Sequence, residues 1–173
     1  MLKSIDPITL TRPAIASNTV WLGVDPGKTG CFAVCYVDCF GKHTTSIYKM
    51  PKTPAALRDF IVDLQKKYDP KTNRYHCFCE LVGFYRPGCS ATSAVTFGKG
   101  VGGLTQLLTD FYIPCTWLTP QKWMKAFGCP NDLEKTARKN WIAAKVRELY
   151  PKMKITQQLS DGLGILHTGL HIL

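Results

Sequence analysis

The chain has 173 residues, of which 22 are Lys or Arg and 12 are Asp or Glu, so its net charge near pH 7 is +10. This length suits one domain, and a hydrophobic content of 45 % is enough for a buried core, which excludes wholesale disorder. No apolar run reaches the roughly 18 residues of a membrane-spanning helix, so we expect a soluble protein with no membrane partner.

The positive charge favours a polyanionic partner, and nucleic acid is the commonest one. A basic surface that serves only solubility is the alternative. The N-terminal segment, residues 1–18, lacks the apolar stretch of a secretory signal. We predict that this segment is a leader, either unstructured or the remnant of an organelle-targeting sequence, and that a single domain follows over residues 19–173.

The first part of this domain predicts a three-stranded antiparallel meander. Residues 20–24 form a short apolar run that stops at the turn Asp25-Pro26-Gly27. A second apolar run covers residues 31–37, and a third strand-like segment, rich in Thr, Ile and Tyr, covers residues 43–50. Turns as short as those between the three runs join antiparallel neighbours.

The remainder alternates between helices and strands. Pro54 suits the first turn of a helix, Asn131 and Asp132 suit the N-cap of a longer one, and Asp161 suits the N-cap of the last. We predict helix 54–67, strand 75–81, a helix ending near 111, strand 113–118, and helices 120–127, 133–149 and 160–173. Helical crossovers after the later strands favour parallel additions to the meander, which gives an α/β fold with a five-stranded mixed sheet.

The second helix of this series contains four glycines, namely Gly98, Gly100, Gly102 and Gly103. Glycine destabilises a helix interior. We therefore expect another backbone, or a nucleic acid, to approach this helix closely.

The eight cysteines show none of the paired C-x2-C spacings of a zinc site. Several lie in apolar strand-like runs, where a free thiol packs as a small hydrophobic group. We expect free thiols rather than disulfides, and hence a reducing intracellular compartment, either the cytoplasm or an organelle.

Three acidic residues stand where a carboxylate can serve chemistry. Asp25 ends the first strand beside small residues, although a turn-capping Asp is the alternative. Glu80 ends an apolar run, where a buried carboxylate is costly unless it is paired or metal-bound; a side chain that points to solvent is the alternative. Asp161 can act as an N-cap, as a ligand, or as both.

Carboxylates from two strand ends and a helix start are what a Mg2+-dependent nuclease requires. Hard oxygen ligands suit Mg2+, for which Mn2+ can substitute. Two such ions about 4 Å apart can activate a water molecule and stabilise the leaving oxygen of a phosphodiester.

Several motifs in order along the chain resemble phage-type members of the RuvC Holliday junction resolvase family. They are Asp25-Pro26-Gly27 with Thr29-Gly30, Met50-Pro51-x-Thr53-Pro54, the strand ending in Glu80, Ser93-Ala94-Val95-Thr96-Phe97-Gly98-Lys99-Gly100-Val101-Gly102, and Leu118-Thr119-Pro120-Gln121-Lys122-Trp123. A basic stretch, 135–154, precedes the last acid. The resemblance covers about residues 20–161.

The resemblance implies an RNase H-like fold, a homodimer, and Mg2+-dependent nicking of four-way DNA junctions. It implies that Asp25, Glu80 and Asp161 are the catalytic metal ligands. The residues expected to contact nucleic acid are Lys28, Phe84, Tyr85, Arg86, Lys99, Lys122 and Lys125. The aromatic residues 84–85 can stack on exposed bases beside a phosphate-binding arginine, although ordinary loop packing is the alternative.

The chain departs from the family pattern near its end. The family has a second acid three or four residues after the first, where this chain has Gly164 and Ile165. His167 and His171 are the alternative ligands, although helical spacing places them off the face of Asp161.

The departure leaves two functions open. One is an active structure-selective endonuclease that acts on branched DNA. The other is a catalytically inactive nucleic-acid-binding or structural subunit, for example of an organellar ribonucleoprotein with structured RNA. A sugar- or acetate-kinase-like fold also carries runs similar to residues 25–30, but such an enzyme needs two lobes and this chain is too short for them.

Overall fold

The computed structural model describes residues 17–83 and 90–172. The predicted leader therefore lies almost entirely outside the described residues. The elements in the described part are β1 (Thr19–Asp25), β2 (Cys31–Val37), β3 (His43–Lys49), α1 (Pro54–Lys67), β4 (Arg74–Glu80), α2 (Ala91–Asp110), β5 (Cys115–Leu118), α3 (Pro120–Ala126), α4 (Lys135–Leu149) and α5 (Gln157–Ile172).

The strands form one five-stranded sheet in the order β3-β2-β1-β4-β5. β1, β2 and β3 pair antiparallel, whereas β4 pairs parallel with β1 and β5 pairs parallel with β4. The predicted meander with parallel additions is confirmed. Because β1, β4 and β5 run in the same direction, their carboxyl ends meet at one edge of the sheet, called the carboxyl edge below.

Helices cover both faces of this sheet. Val20, Leu22 and Val24 of β1 pack in a cluster with side chains of α1 and α2. The alternate residues of β1 face the opposite way, because successive strand residues point to opposite faces. On that side a second cluster joins the sheet to α3, α4 and α5. Each fully buried aliphatic side chain in these clusters contributes about 1.5–3 kcal/mol.

Glycine permits the close contact between α5 and the sheet. A Cβ atom added at Gly23 would lie 2.5 Å from the carbonyl oxygen of Gly162 and 2.6 Å from the amide nitrogen of Leu166. A Cβ atom added at Gly162 would lie 2.5 Å from Cys31 Sγ. The backbone of α5 therefore rests directly on β1 and on the start of β2.

Two predicted helix starts are wrong. The N-cap of α4 is Glu134, whose carbonyl accepts from the amide of Arg138, and residues 131–132 form a turn before it. Their capping side chains are not used because the chain between them and α4 places Leu133 against the hydrophobic core. The last helix begins at Gln157, so Asp161 is its fifth residue rather than its N-cap. The earlier start buries Leu159 and Ser160.

The cysteines of the described part are free thiols, as predicted. They are Cys31, Cys35, Cys39, Cys77, Cys79, Cys115 and Cys129, and all except Cys39 and Cys115 are buried. Within residues 17–83 and 90–172, none of the helices has the length and apolar character needed to cross a membrane.

Candidate functional site

Asp25 and Glu80 lie at the carboxyl edge on neighbouring parallel strands. Val24 pairs with Cys79 in the register of β1 and β4, and Asp25 and Glu80 are the next residues of the two strands. Val24 and Cys79 point into the cluster shared with α1 and α2, so the two acids point to the opposite face, toward α3 and α5. Both carboxylates are half-buried.

Asp161 reaches the same edge from α5. Its neighbour Gly162 is in contact with Cys31, and Cys31 is the register partner of Asp25. The pKa of the Cys31 thiol is raised to about 12, chiefly by burial, and the negative charges of Asp25 and Asp161 contribute to the rise. Both carboxylates thus act on one buried thiol. The fold brings the three predicted acids to one edge and one face of the sheet.

The negative charge of the buried Asp161 carboxylate is only partly compensated by its surroundings. Burial raises its pKa, while the charges of Lys139 and Arg138 and a hydrogen bond with Ser160 act in the opposite direction. Its Oδ1 atom is buried and has no hydrogen-bond partner within the described residues. A buried unsatisfied carboxylate oxygen is costly, and a bound cation would relieve that cost.

Glu80 has a specific partner in α3. That helix begins directly after β5, where the Thr119 side chain caps it and Pro120 occupies its first turn. The indole Nε1 of Trp123 donates to Glu80 Oε1 at 2.9 Å. Trp123 is only 2 % exposed, and its carbonyl accepts from the hydroxyl of Thr168 in α5 at 3.3 Å. Trp123 thus connects the end of β4 to α5.

The two positions where the family pattern has a second acid are tightly packed in this chain. A Cβ atom added at Gly164 would lie 3.0 Å from Cζ3 of Trp123, so the indole ring occupies the space beside this residue. Ile165 is fully buried in the core. His167 packs against Phe127, and burial, followed by the charges of neighbouring cations, lowers its pKa to about 4. It is a half-buried histidine whose ring also contacts His171.

The donor chemistry of the three acids fits a divalent cation such as Mg2+, because all three offer hard carboxylate oxygens, and one of these oxygens is buried without a partner among residues 17–83 and 90–172. The placement of the three acids fits such a cation less well. Among the residues that the structure describes, no three His, Cys, Asp or Glu side chains are placed so that they could hold one metal ion. Binding would therefore require the side chains to move toward the ion.

The four lysines predicted to contact nucleic acid are all exposed. Lys28 is exposed in the turn that follows Asp25, and Lys122 is exposed in the first turn of α3. Lys125, one turn further along α3, and Lys99 in α2 are also exposed. The predicted contact residues Phe84, Tyr85 and Arg86 lie outside the described residues.

Three of the four glycines of α2 have no packing role among the described residues. A Cβ atom added at Gly100, Gly102 or Gly103 would meet no atom within 4 Å. Their presence in a helix agrees with the expectation that another molecule approaches α2. The N-terminal half of this helix passes near the carboxyl edge, because Phe97 lies 3.6 Å from a Cβ position at Gly27.

Sequence reasoning predicted the three acids as site residues, which stays a prediction, and it did not predict the hydrogen bond from Trp123 to Glu80. The motif containing Trp123 was visible in the sequence, yet nothing in the sequence connects it to an acid 43 residues earlier. One sequence feature is consistent with this contact: Gly164, whose missing side chain makes room for the indole ring of Trp123.

Comparison with solved structures identifies the fold. RuvC of T. thermophilus in complex with a Holliday junction substrate superimposes with a TM-score of 0.60 at 19 % identity, over 88 % of this chain and 94 % of that one. A second Thermus thermophilus RuvC structure gives 0.59 at 18 % identity, over 88 % and 95 %. The yeast mitochondrial Holliday junction resolvase Ydc2 superimposes more loosely, with a TM-score of 0.48 at 12 % identity, over 91 % and 81 %.

No protein-family model and no curated protein matches the sequence. The two RuvC superpositions show that this chain has the RNase H-like fold of RuvC, which confirms the predicted fold. At these identities they show the fold alone.

Proposed function

We propose that this chain is a structure-selective endonuclease that resolves four-way DNA junctions. The proposal rests on the placement of Asp25 and Glu80 at the ends of the neighbouring parallel strands β1 and β4, and of Asp161 on α5, whose backbone packs against β1 and the start of β2. The net charge of +10 supports a polyanionic substrate. A structure solved with a Holliday junction has the same fold.

Binding would rest on phosphates rather than on base edges. The exposed Lys28 lies in the turn that follows Asp25, and the exposed Lys122 lies in the first turn of α3, directly after β5. Lysine side chains neutralise backbone phosphates without reading sequence. Discrimination of a junction from a duplex would then depend on shape. A second copy of the chain would supply the matching site for the other strand, so we expect a homodimer.

Within the site each acid would have a separate role. Asp25 is fixed by its place at the end of β1. Glu80 is held through Trp123, and Asp161 presents a buried oxygen without a partner within the described residues. Together these carboxylates would orient the attacking water. A divalent ion held by the three acids, Mg2+ or Mn2+, would supply Lewis-acid stabilisation of the charge that develops on the phosphate.

An inactive nucleic-acid-binding subunit is the second candidate. Two observations favour it. No three potential ligands are placed to hold a metal within residues 17–83 and 90–172, and packing fills the positions of Gly164 and Ile165. In this case the basic surface would bind structured RNA in a ribonucleoprotein, and an organelle is one setting that would suit it.

The test compares a four-way junction with a linear duplex of the same arm sequence. We expect the purified chain to bind the junction more tightly and to nick it in Mg2+ or Mn2+ but not in chelator. Lys122→Ala is the matched binding variant, expected to weaken junction binding and its salt dependence. Tight junction binding with no nicking in either metal would reject the nuclease. Copurification of RNA from the source cells would then support the inactive subunit.

A further inference from the structure

We propose that Cys115 and Cys77 form a modification site, at which a hydroperoxide oxidises the two thiols to a reversible disulfide. The inference is independent of the proposed cleavage of DNA. It begins from the pairing of β4 with β5, in which Cys77 is the register partner of Cys115. The backbone amide of Cys77 also donates to the carbonyl of Pro114 at 2.8 Å, which fixes this register.

The register gives the two cysteines the spacing of a disulfide. Neighbouring strands lie about 4.8 Å apart, and Cα atoms joined by a disulfide are usually about 4.4–6.8 Å apart. Both side chains belong to the cluster shared with α1 and α2, so they point to the same face of the sheet. β5 is the edge strand of the described sheet, so a small shift toward β4 disturbs no strand beyond it.

Cys79 is the third thiol on this face, but its position disfavours it as the disulfide partner. It pairs with Trp117, which lies two residues beyond Cys115. Two residues add about 6.6 Å along a strand, so the Cα atoms of Cys79 and Cys115 lie about 8 Å apart. Cysteines whose Cα atoms are more than about 7 Å apart cannot be bridged without backbone movement.

Cys115 is the thiol that a peroxide can reach. Cys77 and Cys79 are fully buried, whereas Cys115 is half-buried. Cys115 lines a cleft of about 480 Å3 between the end of α2 and β5, together with Thr109 and Trp117. Hydrogen bonds with the Cys77 and Cys79 thiols lower the pKa of the Cys115 thiol, and burial acts in the opposite direction. A lowered pKa favours the thiolate, which is the nucleophilic form.

Oxidation would proceed in two steps. In the first, the Cys115 thiolate attacks one oxygen of hydrogen peroxide and the O–O bond breaks. The departing hydroxide takes up a proton and leaves as water, and Cys115 becomes a sulfenic acid. In the second, the Cys77 sulfur attacks the Cys115 sulfur, the S–O bond breaks, and the hydroxyl group leaves as water with the Cys77 proton. The peroxide thus gains two electrons, one from each sulfur, and a dithiol reductant reverses the disulfide.

The experiment treats the full chain with hydrogen peroxide and maps disulfides by mass spectrometry of peptides that were alkylated without reduction. We expect a linkage between Cys77 and Cys115 that dithiothreitol removes. Cys115→Ser should lower the yield of any disulfide that contains Cys77 by at least about ten-fold. Cys39→Ser is the matched control, because Cys39 is an exposed thiol in the turn between β2 and β3, and it should leave the yield unchanged.

A second variant separates the two steps. Cys77→Ala removes the thiol that attacks the sulfenic acid, so Cys115 should stop at that stage and be trapped by dimedone. Absence of a dimedone adduct on Cys115 in this variant would overturn the inference.

The wild-type chain alone also provides a test. Peroxide that oxidises Cys39 but leaves Cys77 and Cys115 as thiols would overturn the inference without any variant. A linkage of Cys115 to Cys79 would overturn the assignment of Cys77 as its partner. An undiminished disulfide of Cys77 in Cys115→Ser would show that Cys115 is not the thiol that attacks the peroxide.

Discussion

Two glycine-to-alanine substitutions should have opposite effects on stability, and the difference tests how α5 is placed. Gly23 lies beneath α5, where an added Cβ atom would approach the backbone of Gly162 and Leu166 to 2.5 and 2.6 Å. Gly103 lies in the middle of α2, where an added Cβ atom meets nothing within 4 Å. The chemical change is the same at the two positions, but the surroundings differ.

The magnitudes follow from these surroundings. Replacing glycine by alanine at Gly103 should stabilise the protein by about 0.5–1 kcal/mol through backbone entropy. At Gly23 the same gain is offset by overpacking against backbone atoms that cannot rotate away, and a net loss of about 1–3 kcal/mol is expected. Each 1 kcal/mol corresponds to roughly 2–4 °C in melting temperature for a chain of this length.

Thermal unfolding followed by circular dichroism measures both variants. We expect Gly103→Ala to melt above wild type and Gly23→Ala to melt below it. Gly23→Ala should also lose junction cleavage by about 100-fold, because displacement of α5 moves Asp161 away from the other acids. A Gly23→Ala variant as stable and as active as wild type would refute the close docking of α5 on β1. Destabilisation by Gly103→Ala would refute the free space beside α2.

Three further predictions concern the acids and the core of α5. Ile165→Asp should destabilise the chain by about 3 kcal/mol or more, since it removes a fully buried side chain and buries a charge. Thermal unfolding measures the loss of stability, and a stable variant with increased nicking would contradict the prediction. Asp161→Asn should raise the free energy of unfolding at pH 7 by about 1 kcal/mol, because it removes a buried charge that its surroundings compensate only in part, and it should abolish cleavage. Lower stability of this variant would contradict the account in which the buried Oδ1 has no hydrogen-bond partner within the described part of the chain. The His167 pKa is lowered from 6.5 to about 4, chiefly by burial, so the stability that its neutral form confers is complete above about pH 6.5 and is lost as the pH falls toward 4. After allowance for the partial exposure of His167, the loss of unfolding free energy should be about 1–2 kcal/mol. Urea unfolding of His167→Gln should therefore show a shallower dependence of stability on pH than wild type. Equal pH dependence in the two proteins would show that His167 does not cause the loss.

The sequence was sufficient for most of the strands because β1, β2 and β4 contain short apolar runs and β3 is rich in Thr, Ile and Tyr, and turn-forming residues separate them. The parallel placement of β4 followed from the helix that precedes it. The starts of α4 and α5 could not be predicted in the same way. Asn131 and Asp132 are good caps locally, but packing of Leu133 determines where the chain turns into α4. Polar Gln157 and Gln158 concealed the first turn of α5.

The candidate site, like the fold, was predictable from the sequence only in part. Strand-end acids are visible in sequence because a carboxylate interrupts an apolar run, and Asp25 and Glu80 were found for this reason. The contact between Trp123 and Glu80 depends on the path of α3 after β5. The occupied space beside Gly164 depends on the same ring. Such contacts arise from tertiary packing, which local patterns do not encode.

The most direct test of the convergent acids is single-turnover nicking of a prebound four-way junction in Mg2+ by wild type and by Asp25→Asn. The substitution keeps the size of the side chain and removes its negative charge. We expect wild type to nick the junction and Asp25→Asn to bind it with unchanged affinity but leave it intact. Equal nicking by the two proteins would contradict a catalytic role for this edge of the sheet.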